Sequence, residues 1–260
     1  MTSWQQDPFF QYPRTPVTTS AGQVDMPILY FDNSQWMCLF WADLMAAKTL
    51  VAQGLEVLSF GGKALVGVAF YEYRGSSIGA YNEVGVAIAC VPKGVAAPCW
   101  PLLSLLRHPD HNVVGLYIID LPVTTEAACA AGREIWNYPK FVTPISYQAQ
   151  GKHFSGAVQH PEGGADILRL AGKAGLGLPY NVIDLVLYSK HLGQRLRTNV
   201  NTRGRAQAAL GGSLRLHLPA TQHPMAQRLA NLGLDGKKPF AVIHTDKLQL
   251  RLNSGAPLDA

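Results

Sequence analysis

Residues 81–91 run Tyr-Asn-Glu-Val-Gly-Val-Ala-Ile-Ala-Cys-Val. In a strand, successive side chains point to opposite faces. Tyr81, Glu83, Gly85, Ala87 and Ala89 then share one face, and Asn82, Val84, Val86, Ile88 and Cys90 share the other. The bulky face is core. The small-sided face with Glu83 suits either solvent or the wall of a cavity, and alternation alone favours solvent. Comparable runs occupy residues 26–31, 55–60, 64–73, 113–121, 141–146, 167–170, 182–188, 213–218 and 239–252. Val, Ile, Tyr and Phe dominate them, with Gly, Pro or Asn between, the pattern of strands and turns. Their spacing predicts a mainly β (α+β) protein, a sandwich or barrel rather than βαβ repeats.

Helices are few. Residues 42–53 are rich in Ala and Leu and stop before Gly54. Residues 125–136 follow a capping Thr, and residues 224–232 stop at Gly233. Residues 1–24, rich in Pro, Thr and Gln, form an N-terminal arm or loop. Residues 25–260 are expected to form one domain.

A chain of 260 residues buries a full core without metal or disulfide staples. With 48% hydrophobic and 15% charged residues it is not a disordered protein. A mean hydropathy of +0.05 leaves little polar surface to spare, which favours a homo-oligomer. The net charge is +5, but the one biased stretch, 190–205, carries Arg195, Arg197, Arg203 and Arg205 without an aromatic residue. A nucleic-acid surface would interleave stacking rings. A solvated strand and turn, or an oligomer contact, is the better reading, and no nucleic acid is expected.

Cys38, Cys90, Cys99 and Cys129 form no C-x-x-C pair and sit in apolar company, as small hydrophobes do. The first residues lack a signal peptide's basic start and apolar run, and no apolar run reaches membrane-spanning length. A reducing cytoplasm, without membrane contact, is the default. There is no G-x-S-x-G, H-E-x-x-H or Walker sequence. Residues 172–177 suit a turn, and His108-Pro109-Asp110-His111 lacks a third ligand. Neither metal nor cofactor is expected.

Lys140 stands between Pro-linked aromatics and an apolar run, after Gly132-Arg133-Glu134-Ile135-Trp136-Asn137-Tyr138-Pro139 and before Phe141-Val142. A lysine enclosed there would lose hydration, which disfavours its ammonium form and exposes a nucleophilic amine. An ordinary strand-start lysine with its head in water fits the same residues.

Tyr81-Asn82-Glu83, followed by the string G-R-E-x-x-x-Y-P-K ending at Lys140, resembles the acetoacetate decarboxylase family. Tyr12-Pro13-Arg14-Thr15-Pro16 and the terminal run 239–252 are weaker echoes, and together they extend the resemblance over nearly the whole chain. The resemblance implies an antiparallel β-barrel or cone with a few short helices, assembled as a homo-oligomer. It implies that Lys140 forms a Schiff base with a small carbonyl substrate and that Glu83 orients it or shuttles protons. Activation of a lysine by desolvation or a neighbouring cation is this family's own known example. Arg133 and Glu134 would pack and position, while Tyr81, Trp136 and Tyr138 would wall the site.

Departures from the family pattern narrow the chemistry. Its decarboxylases carry a second lysine where this chain has Phe141, and an Arg after a Tyr where it has Tyr30-Phe31. A further family acid falls near Val68 or Ala69, and Glu72 is the nearest carboxylate. Without the Arg, a keto carboxylate loses a charge-assisted partner, and Phe31 favours an apolar substrate portion. Arg74 or Arg14 are the candidate replacements, and His244, Gln249 and Arg251 the polar residues of the last strand that either reach the pocket or merely line an edge. The expectation is a Schiff-base carbon–carbon lyase, foremost for aldol condensation or cleavage with dehydration. The alternatives are a β-keto acid decarboxylase and a non-catalytic small-ligand-binding protein on the same fold.

Overall fold

A computed structural model describes residues 3–98 and 108–258. The strands of the first half are β1 (Thr15–Thr19), β2 (Gly22–Met26), β3 (Ile28–Asp43), β4 (Leu55–Val57), β5 (Ser59–Phe60), β6 (Lys63–Ser76), β7 (Tyr81–Pro92) and β8 (Gly115–Asp120). Then come β9 (Ile145–Gln150), β10 (His153–Val158), β11 (Leu168–Lys173), β12 (Gly177–Asn181) and β13 (Leu185–His191). The last are β14 (Gln194–Arg203), β15 (Arg205–Leu210), β16 (Arg215–His217), β17 (Ala241–Leu252) and β18 (Ala256–Pro257). Three α-helices interrupt them among the described residues: α1 (Leu44–Leu50), α2 (Glu126–Trp136) and α3 (Pro224–Asn231).

Seven strands close a barrel in the order β17-β3-β6-β7-β8-β13-β14, with β14 returning to β17. The mainly-β barrel expectation therefore stands, with one amendment: β8 and β13 pair in parallel. Antiparallel neighbours need only a tight turn, whereas a parallel pair needs a long crossover. The stretch from α2 through β12 supplies it.

A four-stranded sheet, β16-β11-β10-β9, lies outside the barrel. Val84, Val86 and Ile88 of β7 point outward, joining Trp36, Cys38 and Phe40 of β3, Phe154, Leu168 and Leu170 of the small sheet, and Met225 and Leu229 of α3 in one buried cluster. The larger core is thus between barrel and outer layer. The small-sided face of β7 turns into the barrel, not to solvent, and Glu83 is buried with it.

Several boundaries differ from expectation. Strand β3 continues through residues 32–43, so the first helix starts only at Leu44, where the Asp43 carboxylate accepts the Ala46 N–H at 2.7 Å. Residues 15–24 of the expected arm or loop form β1 and most of β2, an antiparallel hairpin that pairs Thr15 with Met26 and Thr19 with Gly22. Residues 141–146 hold only a bridge at Val142 before β9 begins at Ile145. The other two helices match closely: Thr125 caps α2, and α3 ends before Gly233, whose φ is +70°.

The arginine-rich stretch forms the β13–β14 turn and β14. Arg195 donates to Gly54 O at 2.7 Å, Arg197 to Pro109 and Asn112 carbonyls, and Arg203 pairs with Asp7. Cys38, Cys90 and Cys129 are buried free thiols, and Cys99 lies outside the described residues. Among the described residues no helix is long and apolar enough to cross a membrane.

Candidate active site

Local backbone geometry brings Lys140 to Glu83. Asn137 terminates α2 in the left-handed conformation (φ 56°, ψ 36°), its N–H bonded to Arg133 O and Gly132 O. The Tyr138 N–H also returns to Gly132 O at 3.0 Å, so the chain reverses tightly after the helix. Asn tolerates this conformation better than most residues. Val123 then bridges Glu83 on one side and Val142 on the other, which sets β7 and the segment after Lys140 alongside each other.

Gly132 completes the arrangement. A β-carbon there would collide with Cδ and Cε of Lys140 and stand 3.1 Å from its Cγ. The absence of a side chain on α2 lets the lysine stem pass over the helix into the barrel. Arg133 and Glu134, the next residues of the string, are exposed. Glu134 accepts the Ser20 N–H at 3.0 Å and the Ser20 hydroxyl at 2.5 Å, fastening the β1–β2 turn to α2 and holding its own carboxyl below the usual range.

Lys140 and Glu83 are each 8% exposed, and Lys140 Nζ donates to Glu83 Oε2 at 2.6 Å. The Tyr73 hydroxyl donates to Glu83 Oε1 at 3.3 Å, and the Tyr30 and Tyr81 hydroxyls bond each other at 2.8 Å. Lys140 Nζ lies 5.8 Å from the Tyr81 ring centre. Burial, reinforced by the Glu83 charge, pushes the phenols of Tyr30, Tyr73 and Tyr81 far above their ordinary range, so they act as neutral donors. Trp136 stacks on Tyr138 with ring centres 5.6 Å apart, and its indole N–H donates to Asn253 O.

These groups stand at a cavity of about 180 Å³ inside the barrel. Of the residues expected at the site, Lys140, Glu83, Trp136 and Tyr138 line it, and Tyr81 lies behind Tyr30, against the lysine. Phe31 and Phe141 do not line it. Tyr30 takes the inward position on β3, so Phe31 points outward, stacked on Trp4 at 3.9 Å and near Phe10 at 5.1 Å. Phe141, next to the inward Lys140, packs outward with its ring 5.0 Å from His223.

The candidate replacement charges are also elsewhere. Arg74 is bound by Asp32, Glu72 and Ser34 outside the barrel, and Arg14 pairs with Asp25 on the β1–β2 hairpin. His244 stacks on Trp36, Gln249 bonds Phe31 O and Arg203, and Arg251 lies over Phe9 and Tyr12. Among the described residues, Lys140 and Glu83 are the only charged groups lining the cavity. No three His, Cys, Asp or Glu side chains among the described residues gather as a metal site.

Sequence alone assigned no role at the site to Tyr30, Tyr73 or Gly132, although Gly132 opens the string that carries the resemblance and Tyr30 precedes Phe31 in the compared pair. Alternation along 64–73 puts Tyr71 and Tyr73 on one face, so Tyr73 was within reach once that face was known to be inward.

The cavity thus places one lysine amine, hydrogen-bonded to one carboxylate, against apolar walls inside the barrel. The chain belongs to the acetoacetate decarboxylase family, whose model matches residues 13–183. Its fold is similar to that of acetoacetate decarboxylase from Legionella pneumophila, at 19% identity and a TM-score of 0.62 over 96% of this chain and 94% of that one. It is also similar to MppR, an enduracididine biosynthesis enzyme complexed with pyruvate, at 14% identity and a TM-score of 0.61 over 94% and 98%. An acetoacetate decarboxylase-like enzyme from Sphingomonas wittichii gives 14% and 0.59 over 90% and 94%. The chain matches no curated protein sequence significantly.

Proposed function

We propose that this protein is a Schiff-base carbon–carbon lyase in which Lys140 is the nucleophile and Glu83 the proton carrier, and that it performs aldol condensation or cleavage with dehydration. The observation that carries this reading is the 2.6 Å bond between Lys140 Nζ and Glu83 Oε2 at the wall of the cavity. The ammonium passes one proton to Glu83, and the freed amine adds to the substrate carbonyl carbon. The carbonyl oxygen leaves as water with one proton from the nitrogen and one returned by Glu83, leaving an iminium. Glu83 next removes an α-proton, and the C–H electrons move into the iminium to give an enamine. The enamine carbon attacks an aldehyde carbon, whose oxygen takes the proton held by Glu83. Glu83 then removes the second α-proton and passes it to the departing hydroxyl, which leaves as water. Hydrolysis of the conjugated iminium releases the product and regenerates Lys140. Cleavage is the same sequence reversed.

Decarboxylation would use the same electron sink, and family membership supports it as the second reading. Aldol chemistry is preferred because Arg14 and Arg74 are engaged outside the barrel, away from any substrate carboxylate. A homo-oligomer belongs to the proposal as well. Strand β12 ends the sheet, and Leu176 just before it and Leu178 within it are 82% and 75% exposed.

The test is borohydride reduction in the presence of simple ketones and keto acids, followed by intact-mass and peptide analysis, with Lys140→Ala as control. A reduced adduct on Lys140 that the control lacks, with a new conjugated absorbance when an aldehyde is added, is the expected result. Carbon dioxide release from acetoacetate without any condensation product would replace the aldol reading by the decarboxylase. No adduct with any carbonyl would overturn both and leave a ligand-binding protein.

A further inference from the structure

Beyond Glu83, the paired strands β6 and β7 present almost no side chain to the barrel interior. The register sets Glu83 opposite Tyr71, then Gly85 opposite Ala69, then Ala87 opposite Gly67. Two consecutive inward levels therefore carry only glycine and alanine. Each level is two residues on, so the trough extends about 13 Å from the carboxylate at roughly 3.3 Å per residue. Met37 and Leu39 of β3, the register partners of Ala69 and Gly67, flank it with apolar side chains. A β-carbon on Gly67 would meet only Leu39 Cδ2, at an ordinary contact distance of 3.8 Å, while one on Gly85 would meet Leu121 Cδ1 at 3.4 Å, so the floor of the trough is least covered at Gly67. The cavity of about 180 Å³ exceeds the ~150 Å³ of an apolar engineered cavity that takes up benzene.

The charge pattern points the same way. Lys140 and Glu83 neutralise each other, and an iminium on Lys140 keeps the same balance. A carboxylate on the substrate would add an unpaired negative charge to a buried, apolar space beside Glu83.

We infer that the carbonyl substrate is electrically neutral and carries an apolar group of about phenyl size, which lies in the Gly67–Ala69–Gly85–Ala87 trough while its carbonyl carbon meets Lys140. This rests on the Schiff-base reading and specifies its substrate class: an aryl- or alkyl-substituted ketone or aldehyde rather than a small keto acid.

The experiment measures borohydride-trapping rates on the wild-type protein with 4-phenyl-2-butanone, acetone, pyruvate and acetoacetate at equal concentrations. Binding of the same four compounds without borohydride is measured in parallel by calorimetry. The expected result is trapping of the phenyl ketone at least tenfold faster than of either keto acid. In Gly67→Val, whose branched side chain suits a strand and fills the trough, the ratio of phenyl ketone to acetone trapping falls at least tenfold. Faster trapping of pyruvate or acetoacetate would overturn the neutral-substrate inference while leaving Lys140 as the nucleophile. An unchanged ratio in Gly67→Val would overturn the placement in the trough. If no compound is trapped, the imine reading fails and the calorimetry decides: binding of the phenyl ketone alone sustains a neutral pocket, and its failure to bind overturns that too.

Discussion

The side chain of Lys140 lies across Gly132 so closely that the helix has no room for a β-carbon at that position. Lysine and glycine are eight residues apart, and the tight reversal at Asn137 folds one onto the other.

Gly132→Ala is expected to displace the lysine rather than unfold the protein. Alanine is the better helix former, by about 1 kcal/mol, so α2 itself loses nothing. The lysine stem, however, collides at Cδ and Cε and has to leave its path to Glu83. Imine trapping should fall by about 100-fold, the loss expected of a misplaced catalytic group, and the thermal midpoint should fall too, by less than in Lys140→Met because the displaced ammonium is still present near Glu83. A variant that traps ketones at the wild-type rate would show that the crossing does not position the amine.

The buried pair should be strongly coupled. Lys140→Met leaves Glu83 without its cation and is expected to destabilise the protein by about 3–5 kcal/mol. Adding Glu83→Gln should recover most of that loss, because removing both charges of a buried pair is often close to neutral. Denaturant unfolding of the two single variants and the double variant at pH 7 measures this. Simple additivity of the two losses would contradict a direct pair.

Asn137 holds a left-handed conformation and donates through Nδ2 to Lys190 O at 2.8 Å. Asn137→Gly keeps the conformation and loses one hydrogen bond, about 1 kcal/mol at most after the gain in backbone freedom. Asn137→Val forces a β-branched residue to positive φ and is expected to cost about 1–3 kcal/mol. The order of thermal midpoints, wild type above Gly above Val, is the check. Equal midpoints for Gly and Val would argue that the turn relaxes.

Hydrogen bonds from Arg74 hold the Asp32 carboxyl below its ordinary value of 3.8. Because the folded value is the lower one, the contribution to stability is complete above about pH 3.8 and is lost as the pH falls through the folded value. Asp32→Asn should therefore destabilise at pH 7, by less than about 1 kcal/mol since the pair is largely exposed. The difference from wild type should shrink steadily in unfolding curves taken below pH 3.8. A difference that grows on acidification would reverse the assignment.

Much of this arrangement was legible in the residues themselves. Thr125 and Gly233 marked helix ends because capping and left-handed conformations each favour few side chains. The alternation of 81–91 marked a strand with one bulky and one small face. Which face was the interior was not legible, since a small-sided face next to a carboxylate suits water as well as a cavity. The Glu83–Lys140 pairing came from the family resemblance, as no local pattern joins residues so distant in sequence. Phe31 was misplaced for a related reason. Neighbouring residues on a strand face opposite ways, and β3 shifts register between Tyr30 and Asp32 and again before Asn33, so its parity cannot be counted along the chain.

The separation of the large core from the barrel interior has a bearing on how this fold diversifies. Val84, Val86 and Ile88 anchor the molecule on one face of β7, while Glu83, Gly85 and Ala87 on the other face the cavity. Exchanges at the small positions of the inner face meet few neighbours, a β-carbon on Gly67 touching only Leu39 at 3.8 Å, so they alter what fits without dismantling what holds. A lineage can retain its reactive amine and try new guests one residue at a time, drawing on a reserve of stability kept on the opposite side of the same strand.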